Sequence, residues 1–288
     1  MISRRRTPLT VLTLLLILGA SVTGGCSTSQ ERIVSLSPSA TETLFEIGAG
    51  EEVVSVDEHS DYPKEVRERR DSELSGLNPD LNRILTYRPT IVIFSERPPA
   101  TGVNSVVPAL EEKGVKVLIE PAPEDVKGVY QQVQELGLET GHEEQAKKLV
   151  SDMRQRISRI IRTTKKPASV QRYYHELDNT YYSVTSDTFI GSIYDMFGLD
   201  NIADEFDTEG SGYPKLSSRD IVHANPDIIF LADTKCCGQN AATVTDRPRW
   251  KRISAVRNRK IIALDDDIAS RWGPRLVNLF QIISKEIR

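Results

Sequence analysis

The residues of this chain best equipped for chemistry are its histidines, a run of aspartates and a few arginines and tyrosines. His59 and His175 each follow an apolar run that reads as a strand, and Glu176 adjoins the second. Three or four such groups converging on one point would hold zinc in a tetrahedral shell. The other two histidines, His142 and His223, fall on segments of helical pattern. Tyr174 or His175 could ligate haem iron, but alternation along a strand turns only one of them to a given side. Asp265-Asp266-Asp267 suggests a metal-dependent hydrolase, yet consecutive residues at a strand end cannot all face one ion. The serines of Ser35-Leu36-Ser37-Pro38-Ser39 lack the Gly-x-Ser-x-Gly elbow of an activated nucleophile. Arg97 and Arg271 offer forked donors that would clamp the carboxylates of an anionic iron chelate. Trp250 and Trp272 suit packing or a rim better than a ligand platform. These residues favour capture of a small molecule over its chemical conversion.

The elements that position them sit in a chain of 288 residues, 39% hydrophobic and 27% charged, a length that suits two domains. A formal net charge of −4, with no basic stripe beyond the N-terminus, argues against a nucleic-acid partner. No glycine-rich phosphate loop stands at a strand-to-helix turn. Residues 1–25 read as a lipoprotein signal peptide. Arg4-Arg5-Arg6 supply the positive start, and Leu9 to Leu18 form an apolar core too short for a spanning helix. Val22-Thr23-Gly24-Gly25-Cys26 resembles a bacterial lipobox, with Thr23 where leucine is usual. Cys26 is then the lipid-bearing residue and 26–31 an anchored tether; the alternative is a plain signal peptide in which Cys26 is incidental. The remaining cysteines, Cys236 and Cys237, are adjacent, which leaves a vicinal disulfide and two free thiols both open and gives no zinc-finger spacing.

The strongest periodic signal is a helix over His142 to Thr163. Ala146, Leu149, Val150, Met153, Ile157, Ile160 and Ile161 fall on one stripe of a 3.6-residue helix, opposite a charged face. At 1.5 Å per residue it spans about 33 Å, enough to act as a rod between two lobes. Before it, strands at Ile33–Leu36, Val53–Val56, Ile91–Phe94 and Val115–Ile119 alternate with helices. One of those helices runs from Ser39, with Ser39 and Glu42 at capping-box spacing and Gly48 as its stop; the others lie over Asp80–Arg88 and Val106–Lys113. After the rod the same grammar returns. Val170–His175 is a strand, Asp187–Phe197 a helix ended by Gly198, and Ile221 to Phe230 echoes Ile84 to Ile93 around a shared Pro. Trp250 to Leu264 echoes Val106 to Ile119. The expected fold is α/β: an N-terminal lobe over 32–140 and a C-terminal lobe over 165–288, each with a mostly parallel sheet flanked by helices. One long rigid helix, 141–164, joins them, and a ligand cleft lies between.

Ser35-Leu36-Ser37-Pro38-Ser39-Ala40-Thr41-Glu42, Ser60-Asp61-Tyr62-Pro63, Asn225-Pro226-Asp227-Ile228-Ile229 and Gly273-Pro274-Arg275-Leu276 resemble the helical-backbone substrate-binding proteins of ABC importers. That family captures vitamin B12, ferric siderophores, haem and related metal chelates. The resemblance covers nearly all of residues 32–288 and looks closest to the cobalamin-binding branch. It implies a non-enzymatic receptor whose lobes move little around a stiff helix and which delivers its chelate to a membrane permease and its ATPase; with the lipobox, the expectation is an extracytoplasmic monomer, lipid-anchored to the cell membrane. No cofactor is implied beyond the bound ligand itself.

Carried over by position, the resemblance puts cleft aromatics at Tyr182 and Tyr213, an acid at Asp267 and an arginine at Arg271. Tyrosine faces would cover apolar corrin surface while hydroxyls and charged groups meet its peripheral amides. Where the branch often carries tryptophan, this chain has Leu74 and Ser95, and Phe94 or Tyr62 is expected to substitute. The glutamates that meet permease arginines in the family fall on Asn82 and Arg219 here, so the adjacent Asp80 and Asp220 become the docking candidates. A ferric-siderophore or haem receptor is the alternative reading; a zinc receptor or a metal-dependent hydrolase fits less well.

Overall fold

The computed structural model describes residues 31–95, 101–165 and 167–287. The lipobox with Cys26, and Arg97, lie outside them. The first lobe runs β1 (Ile33–Leu36), α1 (Pro38–Glu46), β2 (Val53–Val56), α2 (Leu81–Thr86), β3 (Ile91–Ser95), α3 (Thr101–Glu111) and β4 (Lys116–Glu120). All its strands are parallel, in the order β2-β1-β3-β4. β1 and β3 are buried through almost every residue, as the inner strands of a sheet covered on both faces must be.

Helix α1 starts one step from where its sequence pattern suggests. Pro38 has no N–H to leave unpaired and a φ already suited to a first turn, so Ser37 becomes the N-cap and its hydroxyl accepts from the Ala40 N–H at 3.2 Å. The capping-box spacing of Ser39 and Glu42 is therefore not used as a cap, which releases Glu42 for another role. Gly48 does end the helix, at φ +89°, a left-handed conformation that glycine adopts without strain.

Two helices follow, α4 (Val126–Glu139) and α5 (Glu143–Thr163). Helix α4 is not among the expected elements, although the apolar periodicity of Val126, Val129, Tyr130, Val133 and Leu136 marks it in the sequence. Asp125 caps it, accepting from the Lys127 and Gly128 N–H groups at 2.8 and 3.0 Å. The two helices meet at Gly137, where a Cβ would come within 2.3 Å of the Ala146 Cβ; only glycine lets the backbones approach so closely.

The second lobe runs β5 (Arg172–Glu176), α6 (Phe189–Asp195), β6 (Asp200–Asn201), α7 (Ser218–Ala224), β7 (Ile228–Leu231), α8 (Ala241–Thr245), α9 (Ser254–Arg257), β8 (Ile261–Ala263), α10 (Asp266–Ser270) and α11 (Leu276–Glu286). Its parallel order, β6-β5-β7-β8, is the order of the first lobe. The echo visible in the sequence is thus an echo of topology.

Helix α5 joins the lobes as its stripe predicts. Ala146, Val150, Met153 and Ile157 are buried, with Leu149, Ile160 and Ile161 half-buried at the margins. It packs against α4 on one side and α11 on the other. Its start is tied to the first lobe by His142 Nε2 and Glu52 Oε1, 3.1 Å apart. Its end is tied to the second by Thr164 Oγ1 and Ser284 Oγ, 2.6 Å apart. One continuous apolar core reaches from Ile33 and Ile93 through this stripe to Tyr173 and Phe280, and each lobe keeps a separate outer core. Truncating Ile157 to alanine should therefore cost about 2–5 kcal/mol of unfolding free energy. Urea unfolding followed by circular dichroism measures it.

Candidate functional site

In each sheet the chain leaves the first strand toward one edge and returns to the other side of it, so the strand order reverses beside β1 and beside β5. Loops diverge at the carboxyl ends of strands at such a point and leave a crevice. The first turn of α1 supplies Pro38 and Ser39, the end of β3 supplies Ser95, and the Asp57–Tyr62 loop supplies His59. From the other lobe, α10 and the turn after it supply Asp267, Ser270, Arg271 and Trp272. Together they line an inter-lobe cavity of about 390 Å³. A narrow recess continues from it past Leu36, Asp57 and Gly76.

Beneath this cavity lies a carboxylate that sequence reasoning assigned to a cap. Glu42 is 1% exposed. Arg275 grips it with two parallel bonds, Nε to Oε2 at 2.8 Å and Nη2 to Oε1 at 2.5 Å, and Arg271 Nη1 reaches Oε1 at 3.2 Å. Glu42 belongs to the first lobe and both arginines to the second, so the pair spans the cleft floor. The sequence holds only a weak signal: Glu42 lies between Ala40 and Leu44-Phe45 on a helix, and an acid on a buried face must find a partner. Gly273 leaves room for the contact, since a Cβ there would sit 3.3 Å from Glu42 Oε2.

Arg271 is saturated with acceptors. Besides Glu42 it meets Asp61 Oδ1 at 2.9 Å, Asp267 Oδ1 at 2.7 Å and the His59 carbonyl at 2.9 Å. Burial pushes Asp61 upward, but the hydrogen bond and charge of Arg271 outweigh it and hold the carboxyl below the usual range. Asp267 is braced further by Lys235 Nζ at 2.7 Å. Tyr62 lies with its ring 4.2 Å from the Arg275 guanidinium, so one aromatic face is already covered by a cation.

Tyr182 and Tyr213 line a second hollow of about 280 Å³ in the C-terminal lobe, together with Phe206, Asp207, Pro214 and Lys215. They are 40% and 53% exposed. Tyr182 bridges to Lys215 as an antiparallel pair, and the Lys215 ammonium lies 5.3 Å from its ring centre. The four residues carried over by position thus come together as two pairs, Asp267 with Arg271 and Tyr182 with Tyr213, in two hollows.

Other expectations need correction. Phe94 is not a cleft aromatic: it is fully buried on β3 among Leu36, Leu74 and Val92, because that strand is covered on both faces. Tyr174 and His175 are both fully buried, so neither reaches a ligand in the cleft. His175 Nδ1 meets Tyr194 Oη at 2.9 Å, and burial drives its pKa down to about 4. Glu176 is taken by Arg247 in a two-fold bond, 2.6 Å in each arm. Burial and the charge of Glu176 push the adjoining Asp233 up to about 7. Among the described residues, no three His, Cys, Asp or Glu side chains are grouped to hold a metal ion. Trp250 is core, its Nε1 donating to Ser218 Oγ at 2.7 Å, whereas Trp272 does line the cavity.

The docking candidates both lie in the first turn of a helix, α2 in one module and α7 in the other, but three positions apart. Asp80 is the N-cap of α2, accepting from the Asn82 and Arg83 N–H groups at 2.7 and 3.2 Å. Asp220 closes the capping box of α7, accepting from the Ser217 N–H at 3.0 Å and its hydroxyl at 2.6 Å.

A family profile described as periplasmic binding protein matches residues 33–268. YvrC of Bacillus subtilis, an ABC transporter substrate-binding lipoprotein, is 26% identical over 261 residues, covering 89% of this chain and 80% of that protein. A vitamin B12-binding protein of Photorhabdus laumondii is 27% identical over 253 residues, covering 85% and 84%. The fold is also that of the haem-binding protein RhuT of Roseiflexus, with a TM-score of 0.78 at 23% identity over 90% of this chain and 98% of that one. These relatives are substrate-binding transport proteins, not enzymes.

Replacing Glu42 by glutamine keeps the shape but leaves two guanidiniums with one fewer charge. It should cost about 3 kcal/mol, at the lower side for a broken buried pair because the arginines keep some water. The shift in urea midpoint at unchanged slope checks it.

Proposed function

The chain belongs to the periplasmic binding protein family, and from that premise we propose that it is the substrate-binding component of an ABC importer whose cargo is cobalamin or a related corrinoid. The family is extracytoplasmic, and its partners are a permease and its ATPase. In this reading Cys26 carries a lipid that holds the protein to the membrane, and Asp80 and Asp220, one on each lobe, face permease cations. The receptor acts as a monomer and releases its cargo unchanged.

One observation carries the choice of cargo. Among the described residues lining the inter-lobe cavity, Arg271 is the one full cation, and Glu42, Asp61 and Asp267 already surround it. A chelate presenting several carboxylates gains little from a cation so neutralised, and it would meet Asp61 and Asp267 as like charges. An amide-fringed corrin has no such conflict: its amides accept from and donate to Ser39, Ser95, Ser270 and the carboxylates. Its apolar faces suit the exposed rings of Tyr182 and Tyr213. A cleft built before the ligand arrives spends little affinity on ordering.

Calorimetric titration with cyanocobalamin, haemin and several ferric siderophores tests the reading; cyanocobalamin should bind tightest, one to one. Tyr213→Ala should weaken it at least tenfold, about 1.4 kcal/mol, with thermal stability unchanged. Tighter binding of haemin or a siderophore, or an unaltered affinity in the variant, rejects this cargo assignment.

A further inference from the structure

Cys236 and Cys237 stand in the loop between β7 and α8, Cys236 exposed and Cys237 half-buried, with their Sγ atoms 2.7 Å apart. The backbone around them is held from several directions. One carboxylate, Asp266, accepts from three consecutive N–H groups, those of Thr234 at 2.8 Å, Lys235 at 3.0 Å and Cys236 at 2.9 Å. The N–H groups of Cys237 and Gln239 turn back onto the Asp233 carbonyl at 3.3 and 3.2 Å. Gly238 completes the turn at φ +66°. Lys235, held within that clamp and next to Cys236, bridges Asp265 and Asp267 with its ammonium at 2.9 and 2.7 Å. Asp267 in turn lines the inter-lobe cavity and pairs with Arg271.

We propose that Cys236 and Cys237 close a vicinal disulfide, and that this bond stiffens the loop through which Lys235 braces the acidic wall of the cleft. The proposal rests on the extracytoplasmic placement of the family, where disulfides persist, and not on the identity of the cargo. The chemistry is thiol–disulfide exchange with a disulfide donor of that compartment, a small disulfide or an oxidoreductase. One cysteine, as thiolate, attacks a donor sulfur, forming a mixed disulfide and expelling the first donor thiolate. The second cysteine, losing its proton, attacks the protein sulfur of that mixed bond and expels the other donor thiolate. The two cysteine protons end on the two donor sulfurs; the pair is oxidised by two electrons and the donor is reduced to two thiols.

Adjacent Cα atoms are about 3.8 Å apart, closer than most bridged cysteines, so the ring is strained and opens more readily than an ordinary structural disulfide.

The test takes the full-length chain in detergent, equilibrated with oxidised glutathione or with dithiothreitol. In the oxidised sample the tryptic peptide beginning at Cys236 should be lighter by two hydrogen atoms and should resist iodoacetamide; after reduction it should take up two labels. Amide hydrogen exchange over residues 232–240 and 265–271 should be slower in the oxidised sample. In Cys237→Ser, Cys236 should take a glutathione adduct instead, showing that the partner sulfur displaces it in the native chain. Two alkylated cysteines after oxidation, a stable glutathione adduct on the native chain, or identical exchange in the two states would overturn the proposal. Failure to bind cyanocobalamin with the disulfide intact would count against the cargo assignment alone.

Discussion

The carboxylate of Glu42 is the constraint around which the cleft is arranged. Removing a carboxylate from water costs several kcal/mol, and only close, well-directed partners offset that cost. Here the partners are the two arms of Arg275 and one of Arg271, all from the opposite lobe. Such a pair is poor evidence for net stability, because an apolar substitute of equal volume often does as well. It is better understood as a geometric lock. The fork of Arg275 matches both oxygens at once and fixes how far apart the cleft floor lies and in what orientation. The remaining arms of Arg271 then collect Asp61 and Asp267, so the lock also determines the charge that a ligand meets.

The scaffold supports this lock from behind. Two sheets with the same strand order turn the carboxyl ends of their strands toward a shared crevice, and α5 is pinned at one end to each lobe. Its apolar stripe joins the inner faces of both modules into one core, so sliding the lobes would open packed surface as well as separate charges. The close contact at Gly137 and Ala146 serves the same end, setting α5 hard against α4. In the proposed function, cargo meets a gap already built by the fold.

Much of this was legible in the sequence, for identifiable reasons. Periodicity and glycine stops report local structure, and they give five named strands to within two residues, α5 and the Gly48 terminus, while the two-residue β6 carries too little pattern to be read. The repeated order of elements gives the two-lobe arrangement. What periodicity cannot report is the partner of a side chain. Glu42 sits at capping-box spacing from Ser39, and only the start of α1 at Pro38 shows that the spacing is coincidental. Phe94 and His175 follow the pattern of residues near a strand end, but whether such a residue faces a cleft or a helix depends on what covers the sheet. Both proved to be covered. Tyr182 and Tyr213 come from loops that periodicity does not describe, and they were found only by positional resemblance to a family.

The account's central claim is that a neutral, flat-faced chelate settles in a gap whose floor stays locked. A crystal structure of the protein with cyanocobalamin measures this most directly. The account predicts the corrin between the lobes, reaching from Ser39, Asp267 and Trp272 to the ring of Tyr213, with the Arg275 fork still closed on Glu42. A corrin bound away from that gap, or lobes parted with the Glu42 pair broken, would contradict it.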